Sequence, residues 1–312
     1  MNKFIGHIET LAPYFFRKVS SVDFQTKRLP TPDDDFIDVD YLINDSFDSL
    51  VFICHGLEGS SRQPYVKGVA KYFFERGVNV VAMNYRSCSG ELNVAPRFYH
   101  SGETSDLQFC LDWAKRFFSP KKIFMTGFSL GGNLITKYFG ENGDRLDTVI
   151  CGGAVFSAPL DLAGGSQVLN EKFNKLYEQN FLMTLKSKVI KKKRLGIITD
   201  EINILKVIAA KSIYEFDELV TAPLHGFSGA DDYYQKNSGL HFIDKVKRPL
   251  YIANAANDPI LSEKSFFESG QVNDYVYFNK LNRGGHVGFI DFNFSNEFLA
   301  EKLAFEFFQS LN

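Results

Sequence analysis

The segment Gly127-Phe128-Ser129-Leu130-Gly131 restricts this chain more than any other. It follows the run Lys122-Ile123-Phe124-Met125-Thr126, whose β-branched and aromatic residues predict a strand. It leads into Gly132-Asn133-Leu134-Ile135-Thr136-Lys137-Tyr138-Phe139, whose apolar spacing predicts a helix. A strand that gives way to a helix so abruptly needs a sharp turn, with its central residue in a strained backbone conformation. Gly127 and Gly131, two positions either side of Ser129, let strand and helix crowd that turn without side-chain clashes. The Ser129 hydroxyl is then expected to project from the top of a sheet, facing the positive end and free N–H groups of the helix that starts near Leu130. That is the geometry acyl transfer requires.

The rest of the chain supplies the sheet. Stretches 22–27 and 36–42 flank Pro30-Thr31-Pro32 and predict an antiparallel start. Runs at 50–54, 78–85, 122–126, 148–156, 249–254 and 275–281 then predict strands, most of them separated by helix-compatible stretches, and 296–310 predicts a closing helix. Alternating strands and helices imply an α/β fold, a mostly parallel sheet covered on both faces. The rhythm breaks at residues 160–247, too long a stretch for a connection. We read it as a mainly helical cap inserted after the sixth strand, folded over the carboxyl ends of the strands where ligands bind in open α/β sheets. Residues 1–159 and 248–312 form the core in this reading. Phe173, Tyr177, Phe181 and Leu182 recur at near-helical spacing and are expected to line an apolar acyl site under the cap or to pack it onto the core.

A nucleophilic Ser129 needs a base, and in this kind of sheet the partners follow in the order serine, acid, histidine. Of six histidines only His225, His241 and His286 come after Ser129, and the first two lie in the insertion or at its exit. His286, in the loop Gly284-Gly285-His286-Val287-Gly288 after the last predicted strand, is therefore the base. Asp258, in Ala255-Ala256-Asn257-Asp258-Pro259, follows the preceding strand and is placed to hold the histidine tautomer. Asp274 lies at the wrong end of the last strand and Asp291 follows the histidine. The second oxyanion donor is expected after the third strand, in His55-Gly56-Leu57-Glu58-Gly59, where Gly56 lets the Leu57 N–H join that of Leu130. His55 precedes Ser129 and is expected to organise the loop.

Composition narrows the partners. A formal net charge of -2 argues against electrostatic binding of nucleic acid or of an anionic membrane surface. The basic run 188–194 is expected to be a solvated helix face. Cys54, Cys88, Cys110 and Cys151 lie far apart in the sequence and look like small hydrophobes, not a disulfide set or a zinc site. Residues 1–20 hold no apolar run long enough for a signal segment or a membrane span, which makes a soluble, cytoplasmic protein without a membrane anchor the expectation.

Several segments together resemble one family. They are His55-Gly56-Leu57-Glu58-Gly59-Ser60, Pro64-Tyr65-Val66, Asn84-Tyr85-Arg86-Ser87-Cys88, Pro96-Arg97-Phe98-Tyr99-His100-Ser101-Gly102, Gly127-Phe128-Ser129-Leu130-Gly131-Gly132-Asn133 and Gly284-Gly285-His286-Val287-Gly288-Phe289. In the insertion, Glu215-Phe216-Asp217-Glu218, the run Thr221-Ala222-Pro223-Leu224-His225-Gly226-Phe227 and Asp232-Tyr233-Tyr234 join them. Over most of its length the chain is similar to the AB hydrolase-4 family, the branch of the α/β-hydrolases that holds bacterial candidate esterases and eukaryotic abhydrolase-domain lipases. The resemblance implies an α/β-hydrolase fold and a Ser129–Asp258–His286 triad. It departs in two places: Arg86-Ser87-Cys88-Ser89-Gly90 stands where the family usually has Arg-Gly-Cys-Gly-Gly, and Asn257 replaces the first acid of the usual Asp-Asp-Pro. Cleavage of a small-molecule ester with an apolar acyl chain is expected, with no metal or organic cofactor. Acyl transfer to an alcohol, thioester cleavage and a non-catalytic ligand-binding fold are the alternatives.

Overall fold

The computed structural model describes residues 3–19, 22–291 and 297–311. One nine-stranded sheet organises the chain, in the order β1-β2-β4-β3-β5-β6-β7-β9-β8. β1 (Gln25–Pro30) and β2 (Phe36–Leu42) pair antiparallel, Gln25 opposite Tyr41 and Pro30 opposite Phe36. Pro30 lacks an N–H and is tolerated because β1 is an edge strand. β2 pairs antiparallel with β4 (Asn79–Asn84), and from there the ladder is parallel through β3 (Ser49–Cys54), β5 (Lys122–Phe128), β6 (Ile150–Phe156), β7 (Leu250–Ala255) and β9 (Val276–Leu281). β3, β5 and β7 are buried along almost their whole length, which is why they read as continuous apolar runs rather than alternating ones.

Helices cover both faces. On one, α3 (Thr104–Phe118) and α4 (Leu130–Asn142) bury Leu107, Leu111, Leu134 and Ile135 against Phe52, Ile123 and Ile252. On the other, α2 (Pro64–Phe74) and the closing helix, α11 (Leu299–Ser310), bury Val66, Phe73, Ala304 and Phe308 against Val51, Ile53 and Phe124. The predicted strands appear with ends shifted by a few residues. Position 296, at the start of the predicted closing helix, lies outside the described residues.

Two elements were not anticipated. β8 (Gly270–Gln271) pairs antiparallel with β9 at the sheet edge, so the strand before Asp258 is not the penultimate one. The first residues form α1 (Lys3–Phe16), a helix that carries Pro13 inside it.

Between β6 and β7 the chain is helical: α5 (Leu162–Leu169), α6 (Lys175–Arg194), α7 (Ile204–Ala209), the short α8 (Ile213–Phe216) and α9 (Ala222–Leu224), and α10 (Ala230–Asn237). These helices share an apolar cluster, with Leu169, Leu182, Val189, Val207 and Phe216 in it, which Phe98 and Ile260 join from outside the segment. Among the described residues no helix is long and apolar enough to cross a membrane.

The basic run within α6 corrects the sequence reading. Lys191 and Arg194 are exposed, but Lys188 and Lys192, one turn apart, point inward. The Lys192 ammonium lies 4.0 Å from the centre of the Phe98 ring, and its Nζ donates to the carbonyls of Ala95 and Arg97, the latter at 2.9 Å. Four methylenes give lysine an apolar stem that can be buried while the head finds acceptors. Desolvation pushes the Lys192 amine down to about 7. Because the unfolded chain keeps an ordinary lysine near 10.5, it binds more protons than the folded one between those values, so stability rises with pH across that window. Thermal melts at pH 7 and pH 10 should show a gain for the wild type that Lys192→Met lacks.

Candidate active site

Ser129 sits between β5 and α4 with φ 52° and ψ −121°, the strained left-handed turn that the flanking glycines permit. A Cβ on Gly127 would come within 2.4 Å of the Gly131 carbonyl oxygen, and one on Gly131 within 2.3 Å of the Cys54 carbonyl oxygen. Backbone thus packs on backbone at the elbow, and the Ser129 N–H is anchored to Phe156 O at 2.9 Å.

The structure brings Ser129, His286 and Asp258 into one chain of hydrogen bonds. His286 Nε2 lies 2.8 Å from Ser129 Oγ, and His286 Nδ1 lies 2.9 Å from Asp258 Oδ2. The Asp258 side chain is fully buried, and its other oxygen accepts the Ile260 N–H at 2.9 Å. A buried carboxylate facing Nδ1 fixes the proton there and leaves Nε2 with its lone pair toward the serine hydroxyl. Asp274 is exposed and precedes β9, while Asp291 accepts from Lys302 Nζ at 2.7 Å.

Leu57 and Leu130 both line the cavity that holds Ser129. The amides beside Leu57 are taken: Gly56 N donates to Tyr65 Oη at 2.9 Å and Glu58 N to Tyr99 Oη at 2.8 Å. Among the described residues no hydrogen bond takes up the Leu57 or Leu130 N–H, and Leu130 is the first residue of α4, where helix amides lack an internal partner. His55 holds the loop from beneath. Its Nδ1 donates to Gly56 O at 2.7 Å, and its Nε2 accepts the Tyr85 N–H at 3.2 Å. Burial pushes it down to about 3, so it stays neutral.

Three features escaped sequence reasoning. α1 clamps the loop that carries His286: Thr10 Oγ1 accepts the His286 N–H at 2.8 Å, and Glu9 accepts from Gly284 N at 3.0 Å and Arg283 Nε at 2.7 Å. Asn257 donates to Glu9 at 2.7 Å and accepts from Gly285 N at 3.1 Å. This accounts for the departure at 257, since an amide can donate to a carboxylate where a second carboxylate would repel it. The helical spacing of Ile8, Leu11 and Phe15 was the available signal for α1.

The second feature is a cap-to-loop ion pair, Lys188 Nζ to Glu58 Oε1 at 2.7 Å, with Tyr99 Oη donating to the same oxygen at 2.8 Å. Both charges line the cavity and are largely buried. Lys188→Met should leave Glu58 without its cation and cost about 3 kcal/mol in chemical denaturation, with Glu58→Gln in the same background recovering part of it.

The third is a polar patch in the cavity wall, where His100, Glu103 and His225 bring three possible metal-ligand atoms within 4.8 Å of one another. His100 Nδ1 accepts the Gly102 N–H at 3.2 Å, which puts its proton on Nε2, 3.3 Å from Glu103 Oε2. Its lone pair is therefore engaged, and Glu103 also pairs with Arg97. This arrangement reads as a self-satisfied network.

The cavity encloses about 1070 Å³ of atom-free space, part of it continuous with solvent. Its walls beyond the triad come largely from the segment between β6 and β7, with Leu169, Phe181, Leu185, Phe216 and Val220 among them. Of the four residues singled out by spacing, Phe181 lines the cavity and Leu182 is buried among the cap helices. Tyr177 Oη meets His7 Nδ1 at 3.0 Å, and Phe173 is 80% exposed. In the loop after β4, where the sequence departs from the family pattern, Ser87 takes φ 65°, where a glycine is at ease, and its Oγ accepts from Asn93 N at 3.1 Å.

Residues 49–292 match the sequence pattern of a family described as the alpha/beta hydrolase fold. The chain is 32% identical over 287 residues to the candidate esterase YheT of Escherichia coli, covering 91% of this chain and 84% of that protein. It is 29% identical to a monoacylglycerol lipase of Saccharomyces cerevisiae over 84% of this chain, but spans only 59% of that lipase's length. Among solved structures, the Pyrococcus furiosus esterase Pf2001 superposes with a TM-score of 0.61 at 18% identity, over 94% of this chain and 98% of that one. At that identity the likeness speaks for the fold.

Proposed function

We propose that this chain, which belongs to the α/β-hydrolase fold family, is a serine hydrolase that cleaves carboxylic esters with an apolar acyl group. The observation that carries the reading is the hydrogen-bonded line Asp258–His286–Ser129 at the wall of an apolar cavity. Ser129 Oγ attacks the ester carbonyl while His286 Nε2 takes its proton, and Asp258 stabilises the imidazolium so formed. The carbonyl oxygen, now an oxyanion, is held by the Leu57 and Leu130 amides. His286 then returns the proton to the departing alcohol, and a water activated by the same imidazole releases the acid.

In this reading residues 160–247 act as a lid, and the apolar side chains of α5, α6 and α8 receive the acyl chain. The relatives named as an esterase and a monoacylglycerol lipase make a hydrolase the natural class. The reading is tested by labelling with a fluorophosphonate probe and by a p-nitrophenyl ester series of increasing acyl length. Labelling that survives Ser129→Ala, or hydrolysis indifferent to acyl length, would count against the nucleophile and the apolar acyl site respectively.

A further inference from the structure

One face of the molecule is apolar and bordered mostly by cations. On α1 the side chains of Ile8, Leu11 and Phe15, and on α6 and the residues just before it those of Phe173, Leu176 and Met183, are between 40% and 81% exposed. Ile8, Leu11 and Phe15 repeat at three- and four-residue spacing and form a stripe along one side of α1, and Leu176 and Met183, two turns apart, share a side of α6. The stripes lie side by side, because His7 and Tyr177, which border them, stack with ring centres 5.7 Å apart. The stripe on α6 runs on toward α7, where Leu205 and Ile208 are also exposed and Lys186 Nζ donates to Ile208 O at 2.9 Å.

Charge is segregated around this face. The acid within α1, Glu9, and the acid within residues 172–194, Glu178, are both buried. Lys3, Lys18, Lys172, Lys191 and Arg194 are exposed on the same two elements and their flanks. Glu171, beside Lys172, is an exposed acid at its border, yet a chain whose net charge is -2 presents around this apolar strip more exposed cations than acids, a bias that the overall count conceals.

We propose that this face docks on an anionic phospholipid surface. Apolar side chains would enter the boundary between headgroups and acyl chains while the lysines meet the phosphates, the arrangement of an interfacial helix. α1 is well suited to this. Its inner side is locked to the molecule through Glu9 and Thr10, so the outer stripe is presented rigidly instead of being ordered on arrival. The face also flanks the candidate site, since Phe181, one turn beyond Tyr177, lines the cavity. Docking is independent of ester cleavage, because it is measured without turnover.

The test is cosedimentation of the full chain with unilamellar vesicles of equimolar phosphatidylcholine and phosphatidylglycerol. The wild type should pellet with these vesicles, less with phosphatidylcholine alone, and less at high salt. The triple variant Ile8→Ser, Leu11→Ser, Leu176→Ser should bind at least about tenfold more weakly with its thermal melt unchanged, as loss of buried apolar surface requires. Wild-type protein that remains in the supernatant, or a triple variant that binds as well as the wild type, overturns the proposal. A wild-type dimer in solution that ignores vesicles and that the triple variant dissociates assigns the face to a second copy instead.

Discussion

Ser129→Ala should lower the turnover of an activated ester by about 10⁴ or more while the thermal melt stays close to that of the wild type. In the proposed mechanism the side chain supplies the nucleophile, whereas the turn that presents it is held by Gly127, Gly131 and the Ser129 N–H to Phe156 O. What remains in the variant is binding and the oxyanion amides, and these alone give only residual rates. Alanine still has to adopt φ near 52°, so a loss of stability of about 1 kcal/mol is tolerable and distinguishable from loss of chemistry. Turnover like that of the wild type, at equal purity, would remove Ser129 from the mechanism and with it the esterase reading.

Asp258→Asn should be nearly as damaging, about 10⁴ in rate, and Asp274→Asn should be silent. An amide at 258 can offer its N–H to His286 Nδ1, which favours the imidazole tautomer with its proton on Nε2, where a lone pair is needed to receive the serine proton. Asp274 lies before β9, at the amino end of a strand whose six residues span roughly 20 Å, and the catalytic loop leaves from the other end. Comparing kcat/KM for the two variants on one ester checks the assignment, and the reverse order would transfer the acid role away from Asp258.

These positions were legible because each depends on a short pattern with a local cause. The glycine spacing around Ser129 reflects a turn a few residues wide, and the order serine, acid, histidine follows from strands read one after another. The contributions of Glu9, Thr10 and Lys188 have no such local cause. Glu9 reads as one acid in a short N-terminal stretch interrupted by Pro13; its burial follows from loops more than 270 residues away. Lys188 and Lys192 sit in a run of like charges that reads as solvent-facing, and only the packing of α6 over Phe98 and Tyr99 turns that side of the helix inward. Spacing likewise grouped Phe173 with Phe181, although helix rotation and the end of α6 send one to water and the other to the cavity. Charge and apolarity are properties of a residue, whereas burial belongs to the neighbours the fold brings to it.

The clamp of α1 on the loops around Asn257 and His286 also sets an order of events for a chain being synthesised. Glu9 and its partner Gly284 N are 275 residues apart, and Thr10 and His286 are 276 apart. A ribosome therefore releases the helix on the order of tens of seconds before the loop it must hold. During that interval Glu9 and Thr10 lack the donors that the loop at 283–286 supplies, and the sheet can assemble strand by strand without the helix. A helix made before the sheet is then seated after it, once the loop that carries His286 has emerged to meet Glu9 and Thr10.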